Sequence, residues 1–321
     1  MFFAGPPAPE PMHIPDGFLS AAVSILLWGI SALVIAYALR RVNRDLGERQ
    51  VPMMGVLAAA IFAGQMLNFT VAGGTSGHFI GAALTTILLG PWAAVLVMTT
   101  VVGVQALIFQ DGGLLALGAN IFNMAIVGAA VSYFIFQTFT RLTGGKRWSS
   151  FVSGFLAAWA SIFIASLAVG LQLALSGTSP ANIAVPAMAV IHALIGLGEG
   201  LITVGVLAFI QAARPDLVQS GRARTIGGSA VWVGGLLLAI GLAVLSPMAS
   251  SNPDGLEWVA GQQGFLNTAR EPLYSLLPDY LFPGVGSEAA ATVIAGILGT
   301  LIVFGVSFAL ARSRRNREPE G

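Results

Sequence analysis

The chain has 321 residues, of which 56% are hydrophobic and only 9% charged, against the roughly 25% charged residues of a soluble domain. That balance excludes a water-soluble domain, and a net charge of +1 gives no reason to expect a nucleic-acid partner. Cysteine is absent, so disulfides and thiolate ligands are excluded and any metal site must use nitrogen or oxygen donors.

Residues 1–11, MFFAGPPAPEP, contain neither a basic residue nor an apolar core and read as a loose proline-rich extension, not a secretory signal. Beyond them, apolar blocks between breakers predict helices near residues 18–40, 52–72, 77–90, 91–109, 114–140, 150–175, 183–212, 228–248 and 286–311. The third block is short, and Gly90-Pro91 could instead kink one helix running from 77 to 109. Charge favours two crossings. With nine crossings and an external N-terminus, Arg40, Arg41, Arg44, Arg49, Arg141, Lys146, Arg147, Arg214, Arg222, Arg224, Arg312, Arg314, Arg315 and Arg317 all fall inside, and only Arg270 falls outside.

The expected fold is therefore an all-α polytopic membrane protein with its C-terminus in the cytoplasm. A break after the Arg214–Arg224 loop divides it into a seven-helix body, 12–226, and a two-helix appendage, 227–321, whose outside segment 249–285 is rich in Pro, Gly and acidic residues. The 40 glycines are read as close-packing surfaces, with Ala60 and Gly64 at small-xxx-small spacing and the run Gly227, Gly228, Gly234, Gly235 and Gly241 as examples.

In so apolar a chain, His13, His78 and His192 stand out. His13, before the first span, and His78, after the glycine-rich stretch 73–77, fall on one side of the membrane, and imidazole suits nickel, cobalt, copper and zinc. His192 and Glu199 share a face of the seventh span but lie about 10 Å apart along the axis. Each is either bonded to another helix or part of a transport path. Gln65 with Asn68, and Asn120 with Asn123, share helix faces and serve either as interhelical glue or to orient metal ligands. Asp111, in the turn Gln110-Asp111-Gly112-Gly113, is a further carboxylate for that second role. Gly144-Gly145-Lys146-Arg147 lacks the Walker A spacing, and neither a nucleophile-base arrangement nor a His-Glu-x-x-His helix occurs, so an enzyme finds little support.

Three segments carry a family resemblance. Met12-His13-Ile14-Pro15-Asp16-Gly17-Phe18-Leu19, Gly73-Gly74-Thr75-Ser76-Gly77-His78, and Phe109-Gln110-Asp111-Gly112-Gly113-Leu114 continuing to Asn120 resemble the signatures of the CbiM/NikM substrate-binding components of energy-coupling-factor metal transporters. Pro253-Asp254-Gly255-Leu256-Glu257 resembles the PDGLE form of the small N component fused to them.

The resemblance implies a subunit of the cell (inner) membrane that captures Ni2+ or Co2+ as cargo. No cofactor of its own is implied. Its expected partners are the lipid bilayer, a transmembrane T component and two cytoplasmic ATPase subunits that supply the energy. It also implies a chelate of the Met12 amine, the His13 backbone nitrogen and imidazole, and the His78 imidazole, with 249–285 over the outer entrance. The rival from a different class is a self-sufficient carrier using His192 and Glu199. As written, the Met12 nitrogen is acylated by Pro11 and cannot be an amine donor. Translation starting at Met12 is the favoured resolution; removal of the extension, or a site assembled differently, are the others. A product beginning at Met12 is expected to take up metal at least as well as the full chain, and loss of uptake in that truncation would refute the start-site reading.

Overall fold

The computed structural model describes residues 12–45, 50–146, 148–213 and 229–313. The 1–11 extension, the linker 214–228, and Arg49, Arg147, Arg314, Arg315 and Arg317 lie outside the described residues. The helices are α1 (Ala21–Asp45), α2 (Val51–Gln65), α3 (Ala82–Leu89), α4 (Pro91–Phe109), α5 (Leu117–Leu142), α6 (Ser149–Leu175), α7 (Ala181–Ala213), α8 (Ser229–Leu245), α9 (Gly255–Gln263) and α10 (Glu288–Ser313).

Six of these, α1, α4, α5, α6, α7 and α10, are long and apolar enough to cross a hydrocarbon core, and the protein is a multi-pass membrane protein. Exposed Leu33, Phe134, Leu171 and Leu201 on the outer helix faces are what lipid requires. α4 is the central element: Ala94, Val97, Met98, Val101 and Val102 are fully buried.

The sequence expectation fails between residues 66 and 81. α2 stops at Gln65, and Phe69–Val71 pairs antiparallel with Thr75–Gly77 across Ala72-Gly73-Gly74. Both glycines of that connection are left-handed, at φ 83° and 79°, a conformation for which glycine is the default residue. The expected helix over 77–90 shrinks to α3, eight residues or about 12 Å long, because left-handed Gly81 delays its start and Gly90-Pro91 ends it. Residues 78–81 enter the bundle without regular structure.

The helix ends sort into two groups. At one end gather residues 12–20, the hairpin, the 110–116 loop and the segment 246–287. Thr178 Oγ1 donating to Phe18 O, Ser250 N to Asn68 O and Leu277 N to Ile108 O join these loops to one another. At the opposite end Tyr37 of α1 meets Trp92 of α4, with ring centroids 4.8 Å apart, and Gln211 of α7 donates to Ser150 of α6.

α8 and α10 dock on α2 through small residues. A Cβ at Gly235 would stand 2.4 Å from Val56, one at Gly55 3.0 Å from Phe304, and one at Gly299 2.2 Å from Phe62. The glycine expectation thus holds at Gly235, and at Gly64, whose Cβ would lie 3.3 Å from Phe79; it fails at Gly234 and Gly241, which have nothing within 4 Å. Gly227 and Gly228 lie outside the described residues.

The closest helix contact between α1 and α5 is at Gly118, where a Cβ would sit 2.5 Å from Trp28 Cα, whereas a Cβ at Gly103 of α4 would meet nothing within 4 Å. Gly118→Ala is expected to destabilise the protein by about 1–3 kcal/mol and to lower its melting temperature in detergent, with Gly103→Ala neutral or slightly stabilising. Equal melting temperatures for the two variants would contradict this packing.

Candidate metal centre

Residues 12–16 lie across the loop that joins α4 to α5. Ile14 N donates to Asn120 Oδ1 at 3.1 Å, Asn120 Nδ2 returns a bond to Ile14 O at 3.1 Å, and Gly113 N donates to the same carbonyl at 2.9 Å. The Asp16 carboxylate accepts from Leu114 N at 3.1 Å and Ala116 N at 2.9 Å, placing its charge at the start of α5 where the helix dipole favours it. This approach explains Gly112-Gly113: a Cβ on Gly112 would come within 2.9 Å of His13 Cβ, and one on Gly113 within 2.1 Å of Asp16 Oδ1.

His13 is thereby held inside the bundle at 3% exposure. Its ring meets that of His78 edge to face, with centroids 5.5 Å apart and planes at 87°. His13 Nδ1 faces two acceptors, Asp111 O and Asp111 Oδ1, each at 3.2 Å, so it carries the hydrogen. His13 Nε2 and His78 Nδ1 are buried without a partner, and each such nitrogen costs about 1–3 kcal/mol if nothing binds it. The two rings line a cavity of about 80 Å³ with Met12, Asn123, His192 and Asp254. Burial alone would lower the His13 pKa, but the Asp111 carboxylate outweighs it and holds the imidazole above its usual range. Burial would raise Asp111, and His13 together with the Tyr280 hydroxyl instead brings it below the carboxylate range. Asp254 is pushed up by burial to about 7, the Glu257 N–H it accepts from and the more distant His13 offsetting this only in part.

No group of three or more His, Asp or Glu side chains able to hold a metal occurs among the described residues. A metal at this cavity would need donors other than a third His, Asp or Glu beside the two imidazoles. A chelate ring through the His13 amide would close only through Nδ1 of the same residue, which here faces Asp111, so chelation would require that ring to turn.

The remaining candidates divide. Asn123 of α5 exchanges two amide bonds with Gln172 of α6, at 2.9 and 2.8 Å, and lines the cavity. Gln65 lies outside it: its Nε2 donates to Ile80 O at 2.9 Å while its Oε1 accepts from Gln105 at 2.8 Å. The Glu199 carboxylate accepts from Ile80 N at 2.7 Å and Gly81 N at 2.9 Å, so these two side chains satisfy the irregular backbone that leads from His78 into α3. His192 has a different partner, its Nδ1 donating to Met188 O at 2.8 Å. Asn68 lines a separate vestibule of about 480 Å³. That space is bordered by Met12, Asp111, Asp254, Glu257, Asp279 and Glu288, and among the described residues no Lys or Arg lines it.

The sequence reading missed what the second module brings. Ser76 N donates to Pro253 O and Ser76 Oγ to Asn252 O, both at 2.8 Å, and Arg270 N donates to Asp16 O at 2.7 Å. Asp254 caps α9 by accepting from Glu257 N at 2.7 Å, a role its Asp-x-x-Glu spacing signals. Tyr280 donates to Asp111 Oδ2 at 2.5 Å. Gln105 and Gln172, polar residues inside apolar blocks, were open to the same reasoning that singled out Gln65.

Residues 13–217 match the CbiM family, described as the cobalt uptake substrate-specific transmembrane region, and residues 229–316 match the PDGLE domain. The chain is 39% identical over 307 residues to a fused NikMN of Archaeoglobus fulgidus assigned to nickel transport, covering 95% of this chain and 99% of that protein. A cobalt transport protein CbiM of Sorangium cellulosum is 34% identical over 215 residues, covering 64% of this chain and 94% of its own. The crystal structure of a truncated transition metal transporter aligns with a TM-score of 0.57 and 34% identity, covering 63% of this chain and 99% of that one.

Glu199→Ala would strip two buried N–H groups of a charged acceptor, and is expected to destabilise the protein by about 2–5 kcal/mol, with Glu199→Gln intermediate because its amide oxygen retains one bond. Thermal unfolding in detergent measures both; an Ala variant as stable as the wild type would show that the entrance to α3 does not depend on this carboxylate.

Proposed function

This chain belongs to the CbiM family of cobalt uptake substrate-specific transmembrane proteins and carries a PDGLE domain behind that region, and from this premise we propose that it is the capture subunit of an energy-coupled uptake system for Ni2+ or Co2+. The observation that carries the proposal is the pair of unpartnered imidazole nitrogens, on His13 and His78, lining one small cavity beside Met12. The cargo ion is bound there by the Met12 amine, the His13 amide nitrogen and imidazole, and the His78 imidazole. Nitrogen donors in a plane suit nickel and discriminate against magnesium and calcium, which prefer oxygen. The amine exists only in a chain that begins at Met12, through its translation start or through processing.

In this reading the loop-rich end faces outward and the chain crosses nine times, the third passage being the irregular stretch 78–81 followed by α3. Supporting it, Arg40, Arg41, Arg44, Arg141, Lys146 and Arg312 are carried at the other end of the bundle, as a cytoplasmic face requires. The acid-lined vestibule concentrates divalent cations next to Met12. Energy comes from a T component and two cytoplasmic ATPases. A self-sufficient carrier using His192 and Glu199 has less support, because Glu199 is committed to two backbone N–H groups and His192 to a carbonyl of its own helix.

Two measurements test the proposal. His13→Ala and His78→Ala are each expected to abolish Ni2+ and Co2+ binding to the purified chain beginning at Met12, and uptake into vesicles should require both ATP and the co-expressed ATPases. Uptake that survives removal of the ATPases but collapses with the proton gradient would establish the carrier instead.

A further inference from the structure

The PDGLE module places one side chain that no motif announces against Asp111, in the wall of the acid-lined vestibule. Tyr280 is 9% exposed and its ring stacks on Phe109, with centroids 4.7 Å apart and planes at 15°, while Phe62 packs beside both rings, 6.1 Å from Tyr280 and 5.3 Å from Phe109. A phenylalanine would satisfy that packing equally well. The hydroxyl is a separate feature, and it donates to Asp111 Oδ2 at 2.5 Å. The other carboxylate oxygen of Asp111, and its carbonyl, face His13 Nδ1 at 3.2 Å each.

The surrounding chain is arranged to deliver this hydroxyl. Leu276 N donates to Gln110 Oε1 at 3.1 Å, Leu277 N to Ile108 O at 3.1 Å, and Tyr274 Oη to Leu107 O at 2.7 Å, so segment 274–280 is tied to the residues leading into Asp111. Asp279 and Tyr280 both adopt left-handed backbone, at φ 55° and 57°, which residues with a Cβ enter only when their surroundings hold them there. Relaxing that turn would withdraw the hydroxyl.

We propose that Tyr280 is a positioning residue of the capture site, supplied by the PDGLE module, whose hydroxyl fixes the Asp111 carboxylate and through it the ring orientation of His13. The proposal rests on the capture reading above. A metal-bound imidazole donates its remaining N–H to an oriented acceptor, which sets the direction of the ligating lone pair. Asp111 has one oxygen for that N–H and one for Tyr280. Fixed at Oδ2, the carboxylate keeps Oδ1 turned toward His13, ready to accept from whichever ring nitrogen is turned away from the ion. Without the hydroxyl, Asp111 Oδ2 becomes a buried acceptor with no donor, and the carboxylate is free to swing.

The test is Tyr280→Phe in the full two-module chain beginning at Met12, titrated with Ni2+ by calorimetry, alongside the ligand-field spectrum of the bound ion and the melting temperature of the metal-free protein. The expected result is a Kd weakened about 10–100-fold with an altered spectrum, and a metal-free melting temperature lowered only as far as the loss of one buried hydrogen bond requires. In an Asp111→Ala background the same substitution should add no further loss, because its effect passes through that carboxylate. An unchanged Kd, a wild-type spectrum, or weaker binding that merely follows a lowered metal-free melting temperature would overturn the proposal. A wild-type chain that binds neither Ni2+ nor Co2+ would overturn the capture reading and this proposal with it, whereas wild-type binding alongside an unaffected Tyr280→Phe overturns the proposal alone.

Discussion

Residues 12–16 precede the first helix and have no regular structure of their own, so the backbone that carries Met12 and His13 is placed by what Ile14 and Asp16 bind. Ile14 uses both backbone groups on Asn120 and Gly113, and Asp16 uses both carboxylate oxygens on the start of α5. These bonds are short-range and directional, and they form only because Gly112 and Gly113 present bare backbone to the incoming segment. The cavity, the burial of His13 and the contact with His78 all follow from this one docking.

The second histidine is placed by a different device. A helix running straight through residues 66–81 would satisfy its own backbone but could not deliver His78 to His13. The chain instead breaks into a hairpin and an irregular entrance, and the freed backbone groups are taken up by Gln65, Glu199 and, from the second module, Pro253, while Asn252 O accepts from the Ser76 hydroxyl. Irregular backbone at this depth is tolerated in a membrane protein only where protein groups replace the missing helix bonds. The two modules are thus joined at the histidine-lined cavity as well as along α2.

Much of this was legible in the residues and some was not. The long apolar blocks fixed α1, α4 to α7 and α10 to within a few positions, since a helix is the one structure that an uninterrupted apolar run of twenty residues can form in lipid. The same reasoning misjudged residues 66–77, because Phe69 and Val71 are apolar in either helix or strand, and only Gly73-Gly74 hinted at a hairpin. His13 and His78 were visible as rare imidazoles on one side of the membrane and Asp111 as a turn carboxylate, and His13 meets both of the others. Gln65, Asn120 and Glu199 were visible as polar residues inside apolar blocks, but Asn120 and Glu199 bind backbone groups, as does one end of Gln65, and composition cannot reveal such partners. Tyr280 gave no signal: an aromatic residue in a proline-rich loop is unremarked until its hydroxyl is seen against Asp111.

The placement of Glu199 imposes an order on biogenesis. Its carboxylate closes the backbone of Gly81 from 118 residues further along the chain, so the stretch bearing His78 leaves the ribosome well before its acceptor has been synthesised. Until α7 arrives, Ile80 and Gly81 present N–H groups that hydrocarbon cannot solvate. The stretch that carries His78 is thus completed only once α7 is present, and the bonds from Ser76 to Asn252 and Pro253 close over it later still.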